Sequence, residues 1–270
     1  MSCHTLGTSS FNLPVILCVA ILLNEIIARI GERPSHFMGY RAQGLLEGYG
    51  VGWLIGIFTA GTAFLGVAMT GIMFPSVILT MTIVLAVIGT KDRRFSSVIF
   101  QIFRSFASLP LPWLAAVWLA LIILALRTAA PGLYEDALVY HLAMPWQCIQ
   151  MHRIPLSQVT FLFHLPMPLD IFYSLPIILG DDRLARWILA GAFVAGVSFV
   201  AGRALRRGES VSGWLAVPLI LSICSVVDLP WLIKNDIAAA AFFVTGAILW
   251  RDKPRVVGAL LLGGAVATKL

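Results

Sequence analysis

The apolar stretch from Tyr49 to Thr90 constrains this chain more than any other feature, because it runs about twice the roughly 20 residues that one helix needs to cross a bilayer. It reads as two spans, with the reversal between them near Gly66 to Pro75, where glycine and proline loosen a helix. Comparable runs recur along the whole chain, and none has the short alternating pattern of barrel strands. With hydrophobic residues at 59% and charged residues at 12%, 270 residues carry more apolar surface than a soluble domain can bury. The expected fold is an all-α polytopic transmembrane bundle of about eight spans. Gly52, Gly56 and Gly61, with Ala60 and Ala63, suit close helix packing rather than chemistry.

In chain order, residues 1–11 lack the basic start of a signal peptide and are expected outside the cell membrane. A first span covers about Leu13 to Ile30, with Asn24, Glu25 and Arg29 near its inner end. Glu25 and Arg29 are placed to pair one helical turn apart, as a tether at a membrane boundary. Gly31 to Glu47 reads as a cytoplasmic loop. After the double span, SSVIFQIFRSF reads as an amphipathic helix on the inner surface. Further spans are expected at about Pro112 to Leu126, Leu184 to Val200, Trp214 to Leu232, Ile237 to Trp250 and from Val256 onward. The chain divides into an N-terminal helical part, 1–110, and a core, 111–270, whose outer loop over 127–183 holds short interfacial helices.

The net charge of +6 does not indicate nucleic acid, since the basic residues are not pooled in one patch. They lie in clusters between spans: Arg29, Arg33 and Arg41; Lys91, Arg93, Arg94 and Arg104; Arg203, Arg206 and Arg207; Arg251, Lys253 and Arg255. By the positive-inside rule these mark the cytoplasmic face. Glu135, Asp136, Asp170, Asp181, Asp182 and Asp236 then fall outside, with Arg153, Arg183 and Lys234 among them. An acidic face with interspersed cations suits a phosphate-bearing substrate whose acceptor needs a base. Cys3, Cys18, Cys148 and Cys224 show no metal-ligand spacing and no disulfide framework.

Chemistry is expected in PGLYEDALVYHLAMPWQCIQMHRIP, residues 131–155, the longest polar-bearing interruption of the apolar pattern. Asp136 has the place of a helix N-cap as well as of a catalytic acid. Tyr140 is its helical neighbour, and His141 follows as either a structural hydrogen-bonding residue or a ligand group. Tyr134, Tyr140, Trp146, Trp187 and Trp231 fit an interfacial aromatic belt as well as sugar stacking. Lys234, Asn235 and Asp236 open a later span on the same face, so two carboxylate sites can converge there. Lys269, near the end of the last span, must snorkel, pair or meet a lipid phosphate.

The run DALVYHLAMPWQCIQMHRIP resembles the first outer loop of GT-C glycosyltransferases, in particular the bacterial group similar to dolichyl-phosphate-mannose protein mannosyltransferases. Later features follow in the family's order: LPMPLDIFYSLPIILG, then Asp182-Arg183-Leu184-Ala185-Arg186, then Asn235-Asp236, then GALLLGGAVATKL. The resemblance covers about Pro112 to Leu270. It implies an inverting transferase in the inner (plasma) membrane, with its active face outside, a polyprenyl-phosphate sugar as donor and a lipid, glycan or protein as acceptor. Asp136 matches the family's general base, although relatives carry Asp-Glu where this chain has Glu135-Asp136, so either carboxylate is a candidate. Lys234, Arg153 and Lys269 are the implied cations for the leaving phosphate. His141, Tyr140 and Asp236 complete the implied substrate contacts. No cofactor is indicated, and carboxylates alone do not distinguish a metal-assisted transferase from a metal-free one. Family members are longer, so a fragment or half-protein is expected. The competing readings are a transporter or flippase of a lipid-linked substrate, and a non-catalytic remnant.

Overall fold

The computed structural model describes residues 12–89, 109–129, 141–154, 168–209, 235–252 and 254–269. Among them the order is α1 (Leu13–Phe37), α2 (Leu45–Thr70), α3 (Pro75–Gly89), α4 (Leu111–Ala129), α5 (Ala143–Met151), α6 (Pro168–Phe172), α7 (Ser174–Ile178), α8 (Arg183–Arg206), α9 (Asp236–Asp252) and α10 (Arg255–Lys269). No strand occurs among the described residues. The amphipathic helix expected on the inner surface around SSVIFQIFRSF and the span expected from Trp214 to Leu232 lie outside them.

Four helices, α1, α2, α4 and α8, are long and apolar enough to cross a membrane by length and composition. The chain is a helical membrane protein. In α2 and α8, 61% and 67% of the most apolar window is buried, against 33% in α1 and 22% in α4, so α2 and α8 form the centre and the other two the flanks. On α4 only Val117, Ala120, Leu124 and Thr128 are buried, one stripe at helical spacing. Leu119, Ile122, Ile123 and Leu126 stay exposed on its other faces, as lipid-facing side chains do.

Close backbone approach holds α1 to α2. A Cβ on Gly56 would lie 1.8 Å from the Ile27 carbonyl oxygen, and one on Gly31 would lie 1.9 Å from that of Gly52. Gly52 and Gly56, four apart on α2, therefore form the small-residue groove that the sequence suggests. Gly61 does the same toward the start of α6, where a Cβ would fall 2.3 Å from the Pro168 carbonyl oxygen.

A polar clasp sits in the middle of this apolar packing. The Trp53 indole N–H donates to Asn24 Oδ1 at 2.8 Å, and Asn24 Nδ2 donates to the carbonyls of Ala20 at 2.9 Å and Trp187 at 3.3 Å. One amide thus joins α1, α2 and α8. Room for it comes from Gly191, where a Cβ would fall 1.8 Å from Asn24 Oδ1.

Two boundaries differ from the sequence expectation. The segment Gly31 to Glu47 is not a loop: α1 continues to Phe37 with Pro34 inside it, and α2 starts at Leu45, leaving only residues 38–44 between them. Pro34 stands in the last turn, where the lost hydrogen bond affects only the helix end. The Gly31 contact with α2 requires the helix to run through this polar stretch. As a result Asn24 and the Glu25–Arg29 ion pair, 2.6 Å long, lie in the body of α1 rather than at its boundary. The reversal between α2 and α3 does fall where expected, at Gly71 to Phe74, and Gly71 takes the left-handed conformation (φ 79°) there.

Gly56→Ala should separate α1 from α2 and cost on the order of 1–3 kcal/mol, the usual cost of overpacking. Gly66→Ala, which meets nothing within 4 Å, should leave the unfolding midpoint in detergent unchanged or raise it. Equal midpoints for the two variants would refute the close contact.

Candidate functional site

The described part of the segment between α4 and α8 is organised by one carboxylate. Asp170 sits in the first turn of α6 and is 2% exposed, too buried to remain charged without partners. Its Oδ1 accepts from His141 Nδ1 at 2.7 Å and from Asn235 Nδ2 at 2.7 Å. Because a carboxylate oxygen only accepts, Nδ1 is the protonated ring nitrogen in this contact. Asn235 Oδ1 in turn accepts from the Tyr173 hydroxyl at 2.9 Å, so both ends of its amide are committed and its orientation is determined. Burial first, and then Asp170, push the Tyr173 phenol well above its ordinary value, which keeps it a donor at physiological pH.

Three separate segments meet here. His141 stands just before α5, Asp170 lies within the short helix α6 with Tyr173 just after it, and Asn235 immediately precedes α9. The Asn235 carbonyl accepts from Ala239 N at 2.9 Å, so the residue that closes the side-chain network also begins α9. Asp236 follows in the first turn, half-buried, where a negative charge complements the positive end of the helix dipole.

The far end of α5 is pinned to the α2–α3 turn. His152 caps α5 in the left-handed conformation (φ 58°), its ring stacks on Phe74 with centroids 3.9 Å apart, and its carbonyl accepts from Met73 N at 2.9 Å. Ile154 N donates to the Ala68 carbonyl at 3.1 Å. Below, α8 opens on DDRLAR. The Arg183 guanidinium donates to both oxygens of Asp181, at 3.0 and 2.8 Å, and Arg186, 1% exposed, pairs with Asp182 at 2.9 Å. These contacts hold the entrance to α8 rigid beside the loop.

Of the residues expected to carry chemistry, Glu135, Asp136, Tyr140 and Lys234 lie outside the described residues, as does the side chain of Lys269 at the end of α10. His141 and the Asn235–Asp236 turn are brought together through Asp170. Arg153 is not part of that group: it is exposed beyond the far end of α5, and α5 is about 13 Å long at 1.5 Å per residue. His141, 4% exposed, is a buried member of the network. Asp170 and Tyr173, whose role the sequence does not reveal, are the residues that connect the rest. Cys148 on α5 is buried, which pushes its thiol up to about 12. Among the described residues no three His, Cys, Asp or Glu side chains gather as metal ligands.

No protein-family model matches the chain, and neither a curated protein nor a solved structure matches it.

Removing the shared acceptor should cost more than removing the terminal donor. Asp170→Ala strands two buried donors and should cost on the order of 3 kcal/mol, whereas Tyr173→Phe removes one neutral bond and should cost about 1 kcal/mol. Denaturant unfolding in detergent measures both, and equal losses would contradict a network centred on Asp170.

Proposed function

We propose that the chain is a membrane glycosyltransferase of the GT-C type, with about eight spans in the inner (plasma) membrane. On this reading it transfers a sugar from a polyprenyl-phosphate donor to a lipid, glycan or protein acceptor on the extracytoplasmic side. The observation that carries the proposal is the double acceptance at Asp170 Oδ1, which ties the segment at His141 to the Asn235–Asp236 turn through Asn235. The sequence-predicted base lies five residues before His141, and the predicted cation adjoins Asn235. A rigid buried network between those two segments is the support that a base and a phosphate-binding cation need in order to act on one substrate.

In the proposed reaction an acceptor hydroxyl oxygen attacks the anomeric carbon. Its proton passes to Asp136, or to Glu135, while the bond from that carbon to the phosphate oxygen breaks and the lipid phosphate leaves with the bonding pair. A single displacement of this kind inverts the anomeric centre. Lys234 and Lys269 meet the charge that develops on the phosphate. Asp236 and Tyr140 contact the substrate, and His141 is a positioning residue held by Asp170.

The distribution of charge supports a transferase over a transporter. A transporter carries ionisable groups along a path through the bundle. Among the described residues of the two central helices, α2 and α8, the acidic and basic side chains stand in the terminal turns, Glu47, Arg203 and Arg206 at one end and Arg183 and Arg186 at the other, while Glu25 and Arg29 in the body of α1 pair with each other.

Membranes containing the chain should transfer radiolabelled sugar from a polyprenyl-phosphate donor. Loss of the base, in Asp136→Asn or in Glu135→Gln, should lower the rate about 10²–10⁴-fold, and loss of the other carboxylate far less. Movement of the donor between leaflets without sugar transfer would replace this reading with the flippase one.

A further inference from the structure

A cavity of about 900 Å³ opens at the end of the bundle opposite the Asp170 network, separated from it by the length of α8, about 36 Å at 1.5 Å per residue. Its centre is Glu47, in the first turn of α2, whose side chain is 2% exposed. Arg206 Nη2 reaches Glu47 Oε2 at 2.7 Å and Arg203 Nε reaches Oε1 at 3.4 Å. Arg203 also pairs with Asp252 at the end of α9 and lies over the Phe199 ring, 5.4 Å from its centroid, while Arg206 also donates to Gln43. Two guanidinium groups are therefore held in fixed positions. Tyr40, 3% exposed, faces the same carboxylate, although its hydroxyl does not reach hydrogen-bond geometry with any described partner. Burial and the nearby Glu47 push that phenol well above its ordinary value, so it remains a donor.

Arg41, in the α1–α2 connection, and Arg207, which caps α8, line the same cavity and have no acidic partner among the described residues. Four arginines against two carboxylates leave the cavity with two positive charges. Arg41 also lines an adjoining cavity of about 620 Å³ with Glu32 and His36. Holding two guanidinium groups on a buried glutamate while two others stay open is a poor arrangement for orientation alone, which needs only charge. It suits an anion that accepts several N–H bonds at once, as phosphate oxygens do.

We propose that this cavity binds a phosphate-bearing anion, with Arg41 and Arg207 closing on the phosphate and Arg203, Arg206 and the Tyr40 hydroxyl forming its fixed wall. The phosphate belongs either to a soluble ligand or to an anionic lipid headgroup at the membrane surface. This site is independent of the transferase reading, because it stands at the other end of the bundle and uses none of the same residues.

The test uses the full chain in phosphatidylcholine nanodiscs, titrated with inorganic pyrophosphate at constant ionic strength, with the unfolding midpoint read by tryptophan fluorescence. A parallel series replaces pyrophosphate with phosphatidylglycerol in the disc. A saturable rise with pyrophosphate identifies a soluble phosphate ligand, and a rise confined to phosphatidylglycerol discs identifies a headgroup. In either case the Arg41→Gln, Arg207→Gln double variant should need about tenfold more ligand, a factor that losing one charge-assisted bond already supplies. Neither exchanged residue takes part in an ion pair among the described residues, so the unliganded midpoint should not change. Arg153→Gln, exposed at the opposite end, should titrate like the parent chain. No saturable response to either probe, an equal response from the double variant, or an equal loss in Arg153→Gln overturns the proposal.

Discussion

One oxygen atom, Asp170 Oδ1, decides how the described residues between α4 and α8 are arranged. A carboxylate this deeply buried is costly unless donors replace the water it has lost. Both donors that reach it come from distant segments, 29 residues before and 65 residues after it in the chain. The acid can stay buried only if the segment before α5 and the start of α9 are brought to α6 together. Tyr173 then completes the Asn235 amide, and α9 begins where that amide is held. The position of Asp236, next to Asn235 in the first turn of α9, follows from this network.

Beneath the loop, the bundle relies on backbone proximity and one internal amide. Glycines 31, 52 and 56 let α1 and α2 approach until carbonyl oxygens would collide with a Cβ, and Asn24 ties both helices to α8. Without a hydrophobic driving force between helices in lipid, close packing and satisfied polar groups are what remain to hold them. The two ends of the central helices then differ in chemistry. One carries acids that hold arginines at the mouth of α8 and an acid that gathers amide and imidazole donors. The other carries a buried glutamate that holds arginines in place around an open cavity.

Much of this frame was legible in the sequence because it depends on local pattern. Span-length apolar runs, the Glu25–Arg29 spacing, the glycines of α2 and the reversal before Pro75 each follow from a window of a few residues. The polar stretch GERPSHF misleads for the same reason. Its composition is that of a loop, but Gly31 packs against α2 and carries the helix on to Phe37. Glu47 likewise reads as a loop acid, and becomes the buried anchor of Arg206 only through a partner 159 positions away. In the sequence Asp170 is one of six acids expected outside, with nothing beside it to mark it as the shared acceptor. No local signal records a partner that the fold brings from another segment. Of the candidate catalytic acids, the sequence supplies identity and order, and His141 and Asn235 show where their neighbours meet.

In the proposed function the Asp170 end of the bundle receives a lipid-linked sugar. Cryo-electron microscopy of the chain in nanodiscs with a non-hydrolysable polyprenyl-phosphate sugar tests it most directly. Sugar-phosphate density is expected beside the Asn235–Asp236 turn, with the carboxylates of residues 135 and 136 facing the anomeric carbon. Density threading the bundle between α2 and α8, or present only among the arginines around Glu47, would contradict it.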